Sequence, residues 1–95
     1  MSHSISHKPD GHRGAFTIER EAKTLATMTY SVAGADLVII DHTDVDESLR
    51  GTGAGQALVE TAVQWARANG KGIMPLCPFA RSVFDRTPEF GDVRR

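Results

Sequence analysis

The stretch LRGTGAG, residues 49–55, sets three glycines and an arginine between a β-branched apolar run at 37–40 and an alanine-rich segment with helical spacing. Without a Cβ, Gly51, Gly53 and Gly55 let a chain passing from strand to helix curl until several N–H groups point into the turn. At a helix mouth those donors add to the partial positive charge of the helix terminus and form a cradle suited to a phosphate or pyrophosphate. Arg50 stands at its rim. The same residues also fit a plain tight connection that holds nothing, and the turn alone leaves both readings open. Spacing excludes two nucleotide motifs. A P-loop needs Lys then Ser or Thr after its glycines, and here Gln56 and Ala57 follow; a dinucleotide fingerprint needs G-x-G-x-x-G, and here the spacing is G-x-G-x-G.

The pattern around the turn predicts a compact α/β (α+β) domain. In AFTIER, residues 15–20, Phe16 and Ile18 alternate with Thr17 and Glu19, a half-buried strand. In LATMTYSV, residues 25–32, Ala26, Met28, Tyr30 and Val32 oppose Leu25, Thr27, Thr29 and Ser31, and the intervening EAK reads as a hairpin. The run at 35–45 predicts a third strand covered on both faces, completing an antiparallel meander. From Gly55 to Asn69 the period becomes helical: Leu58, Ala62, Trp65 and Ala66 form a stripe, and Asn69 and Gly70 supply the stop. GIMPLC, residues 72–77, predicts a parallel strand returning after the helix, although Pro75 argues for an edge or a break in pairing. Pro78 opens a short helix that Pro88 ends, with Phe90 anchoring the tail.

At 95 residues the chain is one domain with room for one site. A net charge near −1 gives no general reason to expect nucleic acid or an anionic membrane as partner. Cys77 is the only cysteine, so no disulfide framework is possible. The opening MSHSISHKPDGHRG has no signal-like apolar core, and a cytoplasmic location is expected. Residues 1–14 read as a flexible lead before a domain spanning 15–95. His3, His7 and His12 lie in that lead, and no metal site is expected from them.

The hexad R50-G-T-G-A-G55 resembles the R/Q-x-x-G-x-G/A motif of the GCN5-related N-acetyltransferases, in which this turn's amides hold the pyrophosphate of acetyl-coenzyme A. Residues 39–92, with DHTDV, LRGTGAG, ALVETAVQWARANG, IMPLCPFA and TPEFGD, are similar in order and separation to the very small, single-domain branch of that superfamily. The resemblance implies a truncated fold of that type and acetyl-coenzyme A as cofactor. It assigns Arg50, Gly51, Thr52, Gly53, Ala54 and Gly55, with Pro75 and Phe79, to cofactor binding. It also implies that the strands flanking the helix splay apart to admit the pantetheine arm, with Pro75 beside that opening.

Acetyl transfer needs a base or water-positioning group and a proton for the departing thiolate. His42, at a strand exit, is the candidate base, since imidazole titrates near neutrality. Cys77, just before a helix start, is the candidate to contact the acetyl group or carry it covalently with His42 as partner. Each also fits a bland reading, a packed cysteine and a locally bonded histidine. Where larger superfamily members have Asn-x-x-Ala-x-x-hydrophobic-Tyr, this chain has Cys77, Ala80 and Phe84, and Phe84 cannot donate a proton. The acceptor-side helices and strands of fuller members are missing. That leaves an open acceptor side for an amine, small molecule or protein, with a partner or second copy of the chain completing it. The rival reading is a coenzyme-A-binding or interaction module with little turnover.

Overall fold

The computed structural model describes residues 4–95, and its sheet is a meander closed by one crossover. Strands β1 (Ile5–Asp10), β2 (Arg13–Arg20), β3 (Lys23–Val32) and β4 (Leu37–Val45) pair antiparallel in sequence order. Helix α1 (Ala54–Ala68) then carries the chain across the sheet to β5 (Gly72–Pro75), which pairs parallel to β4. Helix α2 (Pro78–Arg86) and a 3₁₀ segment (Pro88–Asp92) complete the chain. The mixed α+β architecture agrees with the expected one.

One expectation is corrected at the start. Within the lead before Ala15, Ile5–Asp10 forms an edge strand on β2 instead of a flexible segment. Ile5 and His7 alternate with exposed Ser6 and Lys8, and a two-residue loop with Gly11 at φ +64° joins β1 to β2. The period was masked because histidine serves here as an aromatic. His7 stacks on Phe16 with centroids 4.3 Å apart, meets Trp65 edge-on, and shares a 2.6 Å hydrogen bond between its Nε2 and the Tyr30 hydroxyl. His3 lies outside the described residues.

The core fills one face of the sheet. Phe16, Ile18, Met28, Val38 and Ile40 lie against Leu58, Val59, Ala62 and Val63 of α1, all buried, and each such large side chain contributes roughly 1.5–3 kcal/mol. The stripe read for α1 is therefore its buried face, with Trp65 half-buried at its margin. In α2, Ala80, Val83 and Phe84 are buried, and Phe90 folds back onto Phe84 with ring centroids 5.8 Å apart. The expectation that β4 is covered on both faces is also corrected. Val38 and Ile40 are buried, but Leu37 and Ile39 are only half-covered, because both helices lie on one side.

Pro75 sits at the last rung of β5, opposite Ile40. Gly72 and Leu76 send their N–H groups to the β4 side, to Asp36 and Ile40 carbonyls. Ile73 turns the other way, donating to Val93 and accepting from Arg95. By this alternation the missing N–H of Pro75 falls on the outer edge of β5, beyond the single bridge that Arg94 makes with Ile73. The proline thus stands at the last rung, where pairing with β4 ends, and its missing N–H costs no ladder bond at that outer edge.

Candidate functional site

The approach to the glycine turn is fixed by local bonds. Asp46 accepts hydrogen bonds from the Ser48 N–H at 2.9 Å and its hydroxyl at 2.6 Å, capping a 3₁₀ turn over Glu47–Leu49 that buries Leu49. Gly51 and Gly53 then adopt φ of +79° and +80°, the left-handed region that L side chains rarely enter, and Gly53 caps α1 with no side chain to offer. First-turn helix amides have no intrahelical acceptor, and the first one engaged here belongs to Ala57, which donates to the Gly53 carbonyl at 2.9 Å. Among the described residues, the amides of Ala54, Gly55 and Gln56 thus have no backbone acceptor at the end of α1.

Not every expected donor is available. The N–H groups of Arg50 and Thr52 are tied within the turn, to the carbonyls of Glu47 at 3.1 Å and Leu49 at 3.2 Å, and the Thr52 hydroxyl also donates to Leu49. The cradle is accordingly shifted toward the helix.

Those amides open on a cleft of about 450 Å³. Its walls are the turn residues Arg50, Gly51, Gly53, Ala54, Gly55 and Gln56, the end of β4 at Thr43, Asp44 and Val45, and Phe79 and Arg86 of α2. Of the expected site residues, His42, Thr52, Pro75 and Cys77 do not line it. The β4 wall is exposed because β5 pairs with β4 only as far as Ile40. There the Leu76 and Cys77 amides both donate to the Ile40 carbonyl, at 3.0 and 3.2 Å, and the chain turns away into α2. From Asp41 to Val45, β4 has a strand partner only in β3 among the described residues. β5 therefore ends while β4 continues, and the cleft lies between that free end of β4, the glycine turn and α2.

A bulge in β4 decides where the reactive side chains point. The register with β3 slips between Thr29 and Tyr30, so that Ile40 faces Tyr30, His42 faces Thr29, and Asp41 is the extra residue. Asp41 accepts hydrogen bonds from Thr29 and, at 2.8 Å, from Ser31, on the face away from the helices, with Arg13 at 3.7 Å. Burial pushes its carboxyl upward, but the two hydroxyl donors and Arg13 outweigh this and hold it below the ordinary range. His42 is exposed on the same open face. Thr43, opposite Met28, turns to the helix side, where its Oγ1 meets the Cys77 Sγ at 3.3 Å. Cys77 is buried, serves as the N-cap of α2, and accepts the Ala80 N–H at 3.4 Å.

His42 and Cys77 thus lie on opposite sides of the sheet, one on β4 and the other at the start of α2, and are not brought together as a nucleophile and base. Sequence reasoning missed Thr43, Asp44, Val45, Gln56 and Arg86 as cleft residues. For Arg86 a signal exists in the seven-residue spacing from Phe79, two helical turns, which repeats a helix face. Phe84 is a core residue, consistent with its lack of a hydroxyl.

Over residues 15–93 the sequence matches the GCN5-related N-acetyl-transferase family. The chain belongs to that family. Its structure is similar to that of a GCN5-like putative N-acetyltransferase from Staphylococcus aureus, with a TM-score of 0.74 and 31% identity, covering 100% of this chain and 91% of that one. Ribosomal-protein-alanine N-acetyltransferase from Brucella melitensis biovar Abortus 2308 shares the fold at TM-score 0.67 and 17% identity, over 81% of this chain and 62% of its own. The Escherichia coli ribosomal-protein-S18-alanine N-acetyltransferase does so at TM-score 0.67 and 17% identity, over 82% and 53%. This member of the family therefore spans little more than half the length of those two enzymes. No curated protein sequence matches the chain. Family and fold together support an acyltransferase of the N-acetyltransferase type. No helix among the described residues is long and apolar enough to cross a membrane.

Proposed function

We propose that the chain transfers an acetyl group from acetyl-coenzyme A to an amine. One observation carries this reading: helix-terminal amides and a β4 edge that have no backbone partner among the described residues border the same cleft. The amides suit a pyrophosphate, and the strand edge suits an amide-bearing arm laid beside it. Arg50, at the rim, adds positive charge. The bound thioester would supply the activated acyl carbon.

The chain's own groups then have separable tasks. His42 stands on the open face of β4 and accepts the proton that the amine sheds on attack. Thr43 reaches the cleft from the helix side, held by Cys77, which is itself fixed by the Ala80 N–H. Cys77 positions Thr43 and α2. Because no helix among the described residues covers the sheet face carrying His42, the acceptor reaches it from outside, whether a small amine or a protein amine. A partner or second copy of the chain would complete that side.

A second reading, a coenzyme-binding module with little turnover, is favoured by Phe84, which occupies the place of a proton-donating tyrosine without a hydroxyl. Calorimetry with acetyl-coenzyme A on the parent and on Gly53→Asp tests the cofactor; a parent that does not bind defeats both readings. Release of free coenzyme A thiol in the presence of pooled amines and peptides then separates them, since a binding module gives none.

A further inference from the structure

Helix α2 presents two residues to the cleft, Phe79 and Arg86. Seven residues at about 100° each bring the helix back to nearly the same face, and a rise of 1.5 Å per residue sets them about 10 Å apart along its axis. Phe79 marks the cradle end, because its ring lies against Gly55. Arg86 marks the far end. Its charge is not spent elsewhere: among the described residues Arg13, Arg67 and Arg94 have carboxylate partners in Asp41, Asp92 and Asp85, whereas no carboxylate lies within ion-pair distance of Arg86. The adjacent Asp85 is held by Arg94 at 2.7 Å. The cleft thus has two cationic features, the amide cradle with Arg50 and, removed from it, the guanidinium of Arg86.

Two separated cationic features call for a ligand with two separated anionic groups. We infer that Arg86 binds the 3′-phosphate on the ribose of coenzyme A, one sugar away from the pyrophosphate at the glycine turn. This rests on the coenzyme A reading given above. A guanidinium fork matches a terminal phosphate, which offers more oxygens than a bridging diphosphate already held by backbone amides. The simpler role for a basic residue in the last turn of a helix is to complement the helix dipole, and it predicts no discrimination between ligands.

The test is calorimetric titration of the parent, Arg86→Gln and Arg50→Gln with coenzyme A and with 3′-dephospho-coenzyme A, with circular dichroism confirming that each variant is folded. The parent is expected to prefer coenzyme A by about tenfold, the scale of one charge-assisted contact. Arg86→Gln should erase that preference by weakening coenzyme A alone, and Arg50→Gln should weaken both ligands alike. A parent that binds both equally, or an Arg86→Gln that loses both equally, overturns the assignment of Arg86 and leaves the cofactor reading standing. A parent that binds neither overturns the cofactor reading, and this inference with it.

Discussion

The ring of Phe79 lies so close over Gly55 that a β-carbon built on Gly55 would come within 2.5 Å of its Cζ. Gly55 has an ordinary helical backbone, unlike Gly51 and Gly53, so its glycine is demanded by a neighbour and not by its own dihedral. The contact ties the start of α1 to the start of α2 and shapes the floor of the cleft.

From this contact follows a change of sign. Gly55→Ala in the parent should destabilise by about 1–2 kcal/mol, the scale of overpacking, as the ring is forced aside. In a Phe79→Ala background the same change should stabilise by up to about 1 kcal/mol, because alanine is the better helix former. Urea unfolding of the four proteins measures both. A stabilising Gly55→Ala in the parent would show that the ring can leave without cost, and a destabilising one in the Phe79→Ala background would show that the ring is not what demands glycine.

Cys77 offers a test of cap against chemistry. Its sulfur accepts the Ala80 N–H, so Cys77→Ala should cost about 1 kcal/mol as a lost N-cap, while Cys77→Ser should stay within about 0.5 kcal/mol of the parent. Thermal or urea unfolding distinguishes them. If Cys77→Ser restores stability and also retains acetyl transfer, the sulfur carries no covalent acetyl group.

His42 should behave in the opposite way. It is exposed, so His42→Gln is expected to leave unfolding within about 0.5 kcal/mol of the parent and acetyl-coenzyme A affinity unchanged. The rate of transfer to an amine should drop by about 10² or more, the range for a general base. Steady-state kinetics against a responsive amine reads this; an unaltered rate removes His42 from the chemistry.

A pH dependence follows from His7. Burial holds it below the ordinary histidine value of about 6.5, so the folded chain binds this proton less readily than the unfolded one. Its contribution to stability is complete above about pH 6.5 and declines as pH falls from there through the lowered folded value. Tyr30, raised by burial, remains a neutral phenol throughout. Urea midpoints between pH 7.5 and 5 should fall in the parent and flatten in His7→Phe. An equal slope in the two would assign the dependence elsewhere.

Much of the fold was legible because it is written in short windows. The alternation of Phe16 with Thr17 and of Met28 with Thr29, the stripe through Leu58 and Ala62, and the stops at Asn69 and Pro88 each depend on residues within a few positions. The edge strand over Ile5–Asp10 was not legible, since its alternation counts only once His7 is known to stack on Phe16, a contact across strands. In the candidate site, the turn was readable to the level of which residues form it, but not which of its amides are free; the bonds from Arg50 to Glu47 and from Thr52 to Leu49 depend on how the preceding 3₁₀ turn closes.

By itself the sequence determined the order of the strands and helices from Ala15 onward and the glycine-built entry to α1, because backbone preference and hydrophobic period act locally. Tertiary structure alone decided which side each reactive group faces. One extra residue in β4 sets Asp41 and His42 on the open face and Thr43 toward Cys77, and the packing of α2 on α1 brings Phe79 and Arg86 to the cleft. Register and helix docking are settled by contacts between residues far apart in the chain, and no window of sequence contains both partners.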